Sequence, residues 1–230
     1  MCSRYSLTSP PEAVRRLFGY ETAEDFPPRY NIAPSQPVLI VRNSQKAEPE
    51  PALVRWGLIP SWVKDLREFS MLINARSETV MEKPSFRGSI RHKRCLVPVD
   101  GFYEWTGKPG AKQPHLIRLK SHRLFAFAGI WEHWFGADGS EFDSMAILTT
   151  SANADMSHIH DRMPVFVPPS AFDRWLDCRP GTADFITGML VAPPDGEIEI
   201  IAVSPKLNNP RNEGPELQTP AQPRVQSTLL

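Results

Sequence analysis

The spacing of apolar residues divides the chain into a short helix, a long series of strands and an irregular end. Val14, Leu17 and Phe18 share one face at helical spacing behind Ser9 and Pro10, a helix-start pair, which predicts a short first helix. Residues 29–35 are irregular in composition, whereas residues 38–41 and 51–59 are apolar runs that read as strands, the second stopped by Pro60. Residues 71–73 read as a short strand handing over to Asn74-Ala-Arg-Ser-Glu78, where Ser77 would cap a helix of about two turns before Pro84. Strand patterns follow at residues 94–105, 116–118, 124–131 and 145–150, separated by turn-rich pieces around Gly107 to Gly110 and Gly136 to Gly139. Residues 170–176 and 183–190 have helical spacing, and residues 197–203 alternate like a closing strand. The class is α+β: a mostly antiparallel, β-rich core flanked by short helices.

With 230 residues, 41% of them hydrophobic, the chain can bury one sizeable core, so a single domain over residues 1–217 is expected. Beyond Leu217 the composition ceases to support packing, and residues 218–230 are expected to be a disordered tail. The 26 basic and 26 acidic residues balance, so any nucleic-acid contact must come from a local patch. Cys2, Cys95 and Cys178 are too few and too scattered for a disulfide framework or a paired-cysteine zinc site, which suits a reducing compartment. No stretch has the length and apolarity of a signal segment or membrane span. A cytoplasmic monomer without metal or small-molecule cofactor is expected, associated with the nucleoid when bound to DNA.

Cys2 stands out because of its place. Removal of Met1 would expose an amine and a thiol on adjacent carbons. An α-amine titrates near pH 7.7 to 8.0, so its neutral form can attack an aldehyde, after which the thiol can close a five-membered thiazolidine ring. An internal cysteine has no such route. Cys95, in an apolar strand, and Cys178, at a helix end, read as structural.

Cys2-Ser-Arg-Tyr5 is followed in order by Arg29-Tyr-Asn-Ile-Ala-Pro34, Trp56-Gly-Leu-Ile-Pro60, Asn74-Ala-Arg-Ser-Glu78, Gly101-Phe-Tyr-Glu-Trp105 and His160-Asp-Arg-Met-Pro164. Together these motifs resemble the SRAP family, the SOS-response-associated peptidases, from Cys2 to about Leu217. The resemblance implies the SRAP fold, a groove for single-stranded DNA and covalent capture of abasic sites through the N-terminal cysteine. It assigns Asn74, Glu104 and His160 to the active site with Cys2. An amide at Asn74 can donate to a developing oxygen anion and accept from an amine. The Glu104 carboxylate would exchange protons with the amine and imine, and the His160 imidazole would protonate the sugar ring oxygen as the ring opens. One departure is Ser3, where the family has glycine.

For DNA, Arg4, Arg76 and Arg162 lie within matched motifs, as do Asn31 and Pro34, while Arg87, Arg91, Lys93 and Arg94 form a basic cluster. Trp62 is the tryptophan expected at the DNA surface, where it or Pro34 could replace a lost stacking partner beside an abasic gap. Trp131, Trp134 and Trp175 read as core. Two other functions use the same residues: a cysteine peptidase acting on its own Met1 or on a short leader, with Cys2, Glu104 and His160 as an acyl-transfer site, and a non-covalent single-stranded DNA binder.

Overall fold

Long apolar runs become the central strands, as their patterns require. The computed structural model describes residues 2–22 and 25–221. In chain order it begins with β1 (Tyr5–Leu7), α1 (Pro11–Phe18), β2 (Arg29–Ile32), β3 (Pro37–Asn43), β4 (Pro49–Trp56) and β5 (Asn74–Arg76). Next come α2 (Arg87–His92), β6 (Arg94–Val99), β7 (Gly101–Thr106), β8 (Gln113–Leu119), β9 (Phe125–Phe135) and β10 (Glu141–Ser151). The chain finishes with β11 (Arg162–Pro164), β12 (Phe166–Val167), α3 (Phe172–Leu176) and β13 (Ile198–Ala202). The first half of β9 is buried on both faces, as its unbroken apolar run dictates; beyond Ile130 burial alternates, because only one face still meets protein.

The strands form two sheets. One is wholly antiparallel, in the order β13-β8-β7-β1-β2. The other closes on itself: β3 pairs with β4, β4 with β10, β10 with β9, β9 with β6, and β6 with β3. Closure leaves this ring no long unpaired edge. β5 adds to β10 in parallel, and β11 pairs antiparallel with the opposite edge, so that Thr149 is paired with both Arg76 and Pro164. The sheets share one core, seen where Phe127 of the ring meets Tyr5 and Phe102 edge-on at centroid distances of 6.4 and 5.6 Å. No helix among the described residues is long and apolar enough to cross a membrane.

The fold is the expected α+β class, with local differences. Residues 77–86 form successive turns, not a capped helix: the Ser77 amide continues the ladder by donating to Thr149 at 2.8 Å, and Thr79 and Val80 are weak helix formers. The helix of this region is α2. Residues 29–32, which look irregular, become β2 because β1 supplies a partner. The helical pattern at 183–190 yields two short 3-10 turns, Thr182–Phe185 and Thr187–Met189. Order also extends past Leu217: Gln218 Nε2 donates to Tyr103 Oη at 2.8 Å, and the Ala221 amide to Ala202 at 2.8 Å. Residues 222–230 of the expected tail lie outside the described residues.

Burial divides the basic cluster. Arg94 is only 1% exposed, its guanidinium donating to the carbonyls of Trp175 (2.6 Å), Ile90 (2.8 Å) and Asp177. Lys93 is paired with Glu132. Arg94 is therefore a strut between β6 and α3, not a DNA contact. Arg94→Met would leave the Trp175 and Ile90 carbonyls without this donor, while Asp177 keeps Thr182 Oγ1, and should cost about 3 kcal/mol or more in urea unfolding. A cost below about 1 kcal/mol would show that water replaces the guanidinium there.

Candidate active site

The N-terminal end of β1 enters the middle of the antiparallel sheet, with β2 on one side and β7 on the other, which brings Cys2 to the junction of the two sheets. Cys2 is fully buried. Its Sγ lies 3.7 Å from the Arg4 carbonyl, and its own carbonyl accepts from Asn74 Nδ2 at 2.8 Å. Asn74 opens β5 in the other sheet, so this bond joins the sheets at the cysteine. The buried Trp56 indole fixes that position from below, donating to the carbonyl of Ile73 at 3.0 Å. Asn74 Oδ1 is buried without a hydrogen-bond partner, an acceptor held ready beside Cys2.

Glu104 lies on β7, 5% exposed. Alternation puts it on the same face as Phe102, toward the shared core, while Tyr103 packs on the other face with Leu116, Val203, Leu207 and Leu217. Its apolar setting comes from the junction of the sheets, and the flanking Tyr103 and Trp105 belong to the cluster on the other face. Burial pushes the Cys2 thiol well above its ordinary range, and the Glu104 charge pushes it further.

His160 ends the turn that leads into β11. Its Nδ1 lies 2.9 Å from the Arg162 amide and 2.8 Å from the Asp161 carboxylate. An amide can only donate, so Nδ1 is assigned as acceptor and the neutral ring carries its proton on Nε2; Asp161, 86% exposed, can turn to solvent. Arg162 grips Glu78 with two bonds of 2.5 and 2.9 Å and donates to the Thr149 carbonyl at 2.6 Å. That fork holds the Glu78 carboxyl below the usual carboxylate range. The exposed Arg76 adds a smaller attraction to the same carboxylate.

The other sequence candidates are dispersed. Arg4 is half-buried, bonded to Asn31 Oδ1 at 2.8 Å. Asn31 is fully buried, its amide occupied by the carbonyls of Asn209 and Asn212, both at 3.0 Å, so it is corrected from a DNA contact to an internal tie. Pro34 is half-buried in the turn before β3. Trp62, 56% exposed, and Arg87 line an open cleft of about 280 Å³ that none of Cys2, Asn74, Glu104 or His160 reaches. Sequence reasoning missed Trp56 and Thr149 as supports, and Asp100, which accepts from the Thr8 and Ser9 amides at 2.6 and 2.7 Å. The Trp56 indole could have been suspected from its motif; Asp100 carries no local signal.

Fold and site together define a single-domain α+β protein built around a second-residue cysteine. The chain belongs to the SRAP family: the family model described as SOS response associated peptidase (SRAP) matches residues 1–210. Among its relatives, the abasic site processing protein YoqW of Bacillus subtilis (strain 168) is 39% identical over 221 residues, spanning 94% of this chain and 98% of that one. The abasic site processing protein HMCES of Gallus gallus is 32% identical over 265 residues, spanning 96% of this chain and 78% of that one. A crystal structure of a protein from Bacteroides thetaiotaomicron superimposes with a TM-score of 0.83 at 26% identity, covering 96% of this chain and all of the other.

The thiol's raised pKa has a definite sign. Folded, Cys2 keeps its proton; unfolded, it releases it near pH 8.5, so its contribution to stability is complete below about pH 8.5 and declines as pH rises above it. With cysteine Cβ carbons labelled by ¹³C, the Cys2 resonance should hold its thiol shift to pH 10. Titration near 8.5 would mean an ordinary solvated thiol.

Proposed function

We propose that this protein processes abasic sites in single-stranded DNA by bonding to them covalently through Cys2. The observation that carries this reading is the Asn74 to Cys2 contact, with the side-chain amide oxygen of Asn74 unpartnered and Glu104 near enough for its charge to act on the thiol. Asn74 can orient the end of the chain and receive an N–H of an amine exposed by loss of Met1.

The electrostatics set an order of events. A buried thiol that holds its proton is a poor first nucleophile, so the amine attacks first. His160, in its imidazolium form, gives a proton to the ring oxygen of the abasic sugar while the C1′ hydroxyl loses its proton to solvent, and the hemiacetal opens to the aldehyde. The Cys2 amine adds to the C1′ carbonyl and one water leaves, giving an imine. The thiol then adds across the carbon–nitrogen double bond, Glu104 taking the sulfur's proton and returning one to nitrogen. One C–N and one C–S bond form, one water is lost, and nothing is oxidised or reduced. The resulting thiazolidine lacks the free aldehyde that permits β-elimination, so the strand is shielded from cleavage.

With an abasic oligonucleotide, denaturing electrophoresis should show a stoichiometric adduct that survives heating in detergent, and intact mass should show loss of Met1 and gain of the oligonucleotide less one water. Cys2→Ala should reduce the heat-stable adduct at least a hundredfold, and Glu104→Gln should slow its formation by about 10². Turnover of peptides without any adduct would favour a peptidase, and binding that vanishes on denaturation a non-covalent binder. A Cys2→Ala variant that crosslinks as durably as the parent would refute the thiazolidine.

A further inference from the structure

Arg4, two residues from Cys2, has no acidic partner among the described residues. Its guanidinium donates from Nη1 to Asn31 Oδ1 at 2.8 Å and to the Leu207 carbonyl at 3.2 Å, and it stands 5.8 Å from the centre of the Trp105 ring. Arg42, Arg118, Arg162 and Arg179 each pair with a carboxylate. Neutral acceptors orient a guanidinium without cancelling its charge, so a half-buried cation held in this way keeps its attraction for an arriving anion. Burial lowers the Arg4 pKa, which registers the strain of keeping that charge partly out of water.

The acceptor is itself fixed from outside the site. Asn31, on β2, donates to the carbonyls of Asn209 and Asn212. Three further bonds hold this C-terminal segment in place: Asn212 Nδ2 to the Lys206 carbonyl (2.8 Å), Trp105 Nε1 to Asn208 Oδ1 (2.7 Å) and the Tyr30 amide to Glu213 Oε2 (2.8 Å). Leu207 and Leu217 anchor it in an apolar cluster with Tyr103. A polar stretch that reads as loop is thereby a strap across the outer face of the sheet, and its carbonyls reach Arg4 directly and through one buried amide.

We infer that Asn31 is a positioning residue: buried in the fold, it ties Arg4 to the strap formed by residues 205–218 and so presents an uncompensated guanidinium to the DNA phosphate beside the abasic nucleotide. This rests on the proposed action on DNA and on the sequence expectation that Arg4 meets its backbone, and adds what makes that contact effective. An aspartate at position 31 would neutralise Arg4 and could not donate to the Asn209 and Asn212 carbonyls; the amide holds the strap and orients the guanidinium without cancelling its charge.

The test is a double-mutant cycle, using a single-stranded oligonucleotide with a tetrahydrofuran abasic analogue, which cannot form an imine and so reports binding alone. Arg4→Ala should weaken binding about tenfold and lower the magnitude of the salt slope by about 0.7, the share of one phosphate contact on a single strand. Asn31→Ala should give the same two changes, and the double variant should go no further. Losses that multiply to about a hundredfold, or an unchanged slope in Asn31→Ala, would overturn the inference. Arg4→Lys keeps the charge, leaves Asn31 intact and supplies a readout should Asn31→Ala fail to fold. A lysine lacks the planar guanidinium whose Nη1 reaches both acceptors, so most of the affinity should be lost, and full retention would show that charge alone suffices. If Arg4→Ala itself binds like the parent, the backbone-contact reading falls instead.

Discussion

Everything at the site depends on β1 lying between β2 and β7. The first residues of a chain ordinarily fray, and fixing each costs about 1–2 kcal/mol of backbone entropy. Here a three-residue strand is paired on both edges, and Tyr5 is buried against Trp56 and Phe127. Just past the strand, one carboxylate, Asp100, takes the amides and hydroxyls of both Thr8 and Ser9. With about 1 kcal/mol net from each such bond, and more from the aromatic burial, these contacts offset the entropy of a fixed terminus. Cys2 therefore inherits the rigidity of the sheet without belonging to it.

From that anchor the second sheet supplies what the first cannot. β5 is only three residues long, and it holds its place because it continues along the β10 edge that β4 begins and because the Trp56 indole grips the residue before it. The asparagine at its head then crosses to the cysteine. The ring and the antiparallel sheet meet as two rigid bodies, and the site is the seam between them. Its arginines differ by partner: Arg94 is spent inside the fold on carbonyls, Arg162 is neutralised by Glu78, and Arg4 is held by neutral groups that leave its charge available. Residue type alone would have ranked them together.

How far the sequence could be read follows the same division. β6, β9 and the middle of β10 were legible, because a strand buried on both faces must be written as an apolar run whatever surrounds it. The helices at α1 and α3 were legible too, but the one expected after Ser77 was not: Ser77 extends the ladder and Thr79 and Val80 follow in turns because β10 offered a partner, and periodicity carries no record of partners. Cys2 was legible from its position and the motifs around it, but its burial was not, since that comes from contacts some 70 and 100 residues away in sequence with Asn74 and Glu104. Asn31 and Arg94 are buried despite their polarity for one reason: a polar residue's exposure is decided by what the rest of the chain places over it. The strap is the extreme case, for nothing in its Asn and Pro content tells that buried side chains elsewhere use its backbone carbonyls.

A buried, protonated thiol looks like poor design for a nucleophile, but it suits a reaction in which nitrogen must act first. An exposed thiolate would meet every soft electrophile and oxidant in the cell, and would be consumed by them. Desolvation and the Glu104 charge both disfavour the thiolate; on the proposed function, sulfur becomes competent only when an imine carbon is delivered beside it and the carboxylate can take its proton in the same step. On the proposed reading, selectivity for an aldehyde thus resides in the protonation state of the cysteine as well as in the shape of the groove. The cost is a slower intrinsic step, which proximity can offset, since the attacking sulfur and the electrophilic carbon belong to one five-membered ring in the making.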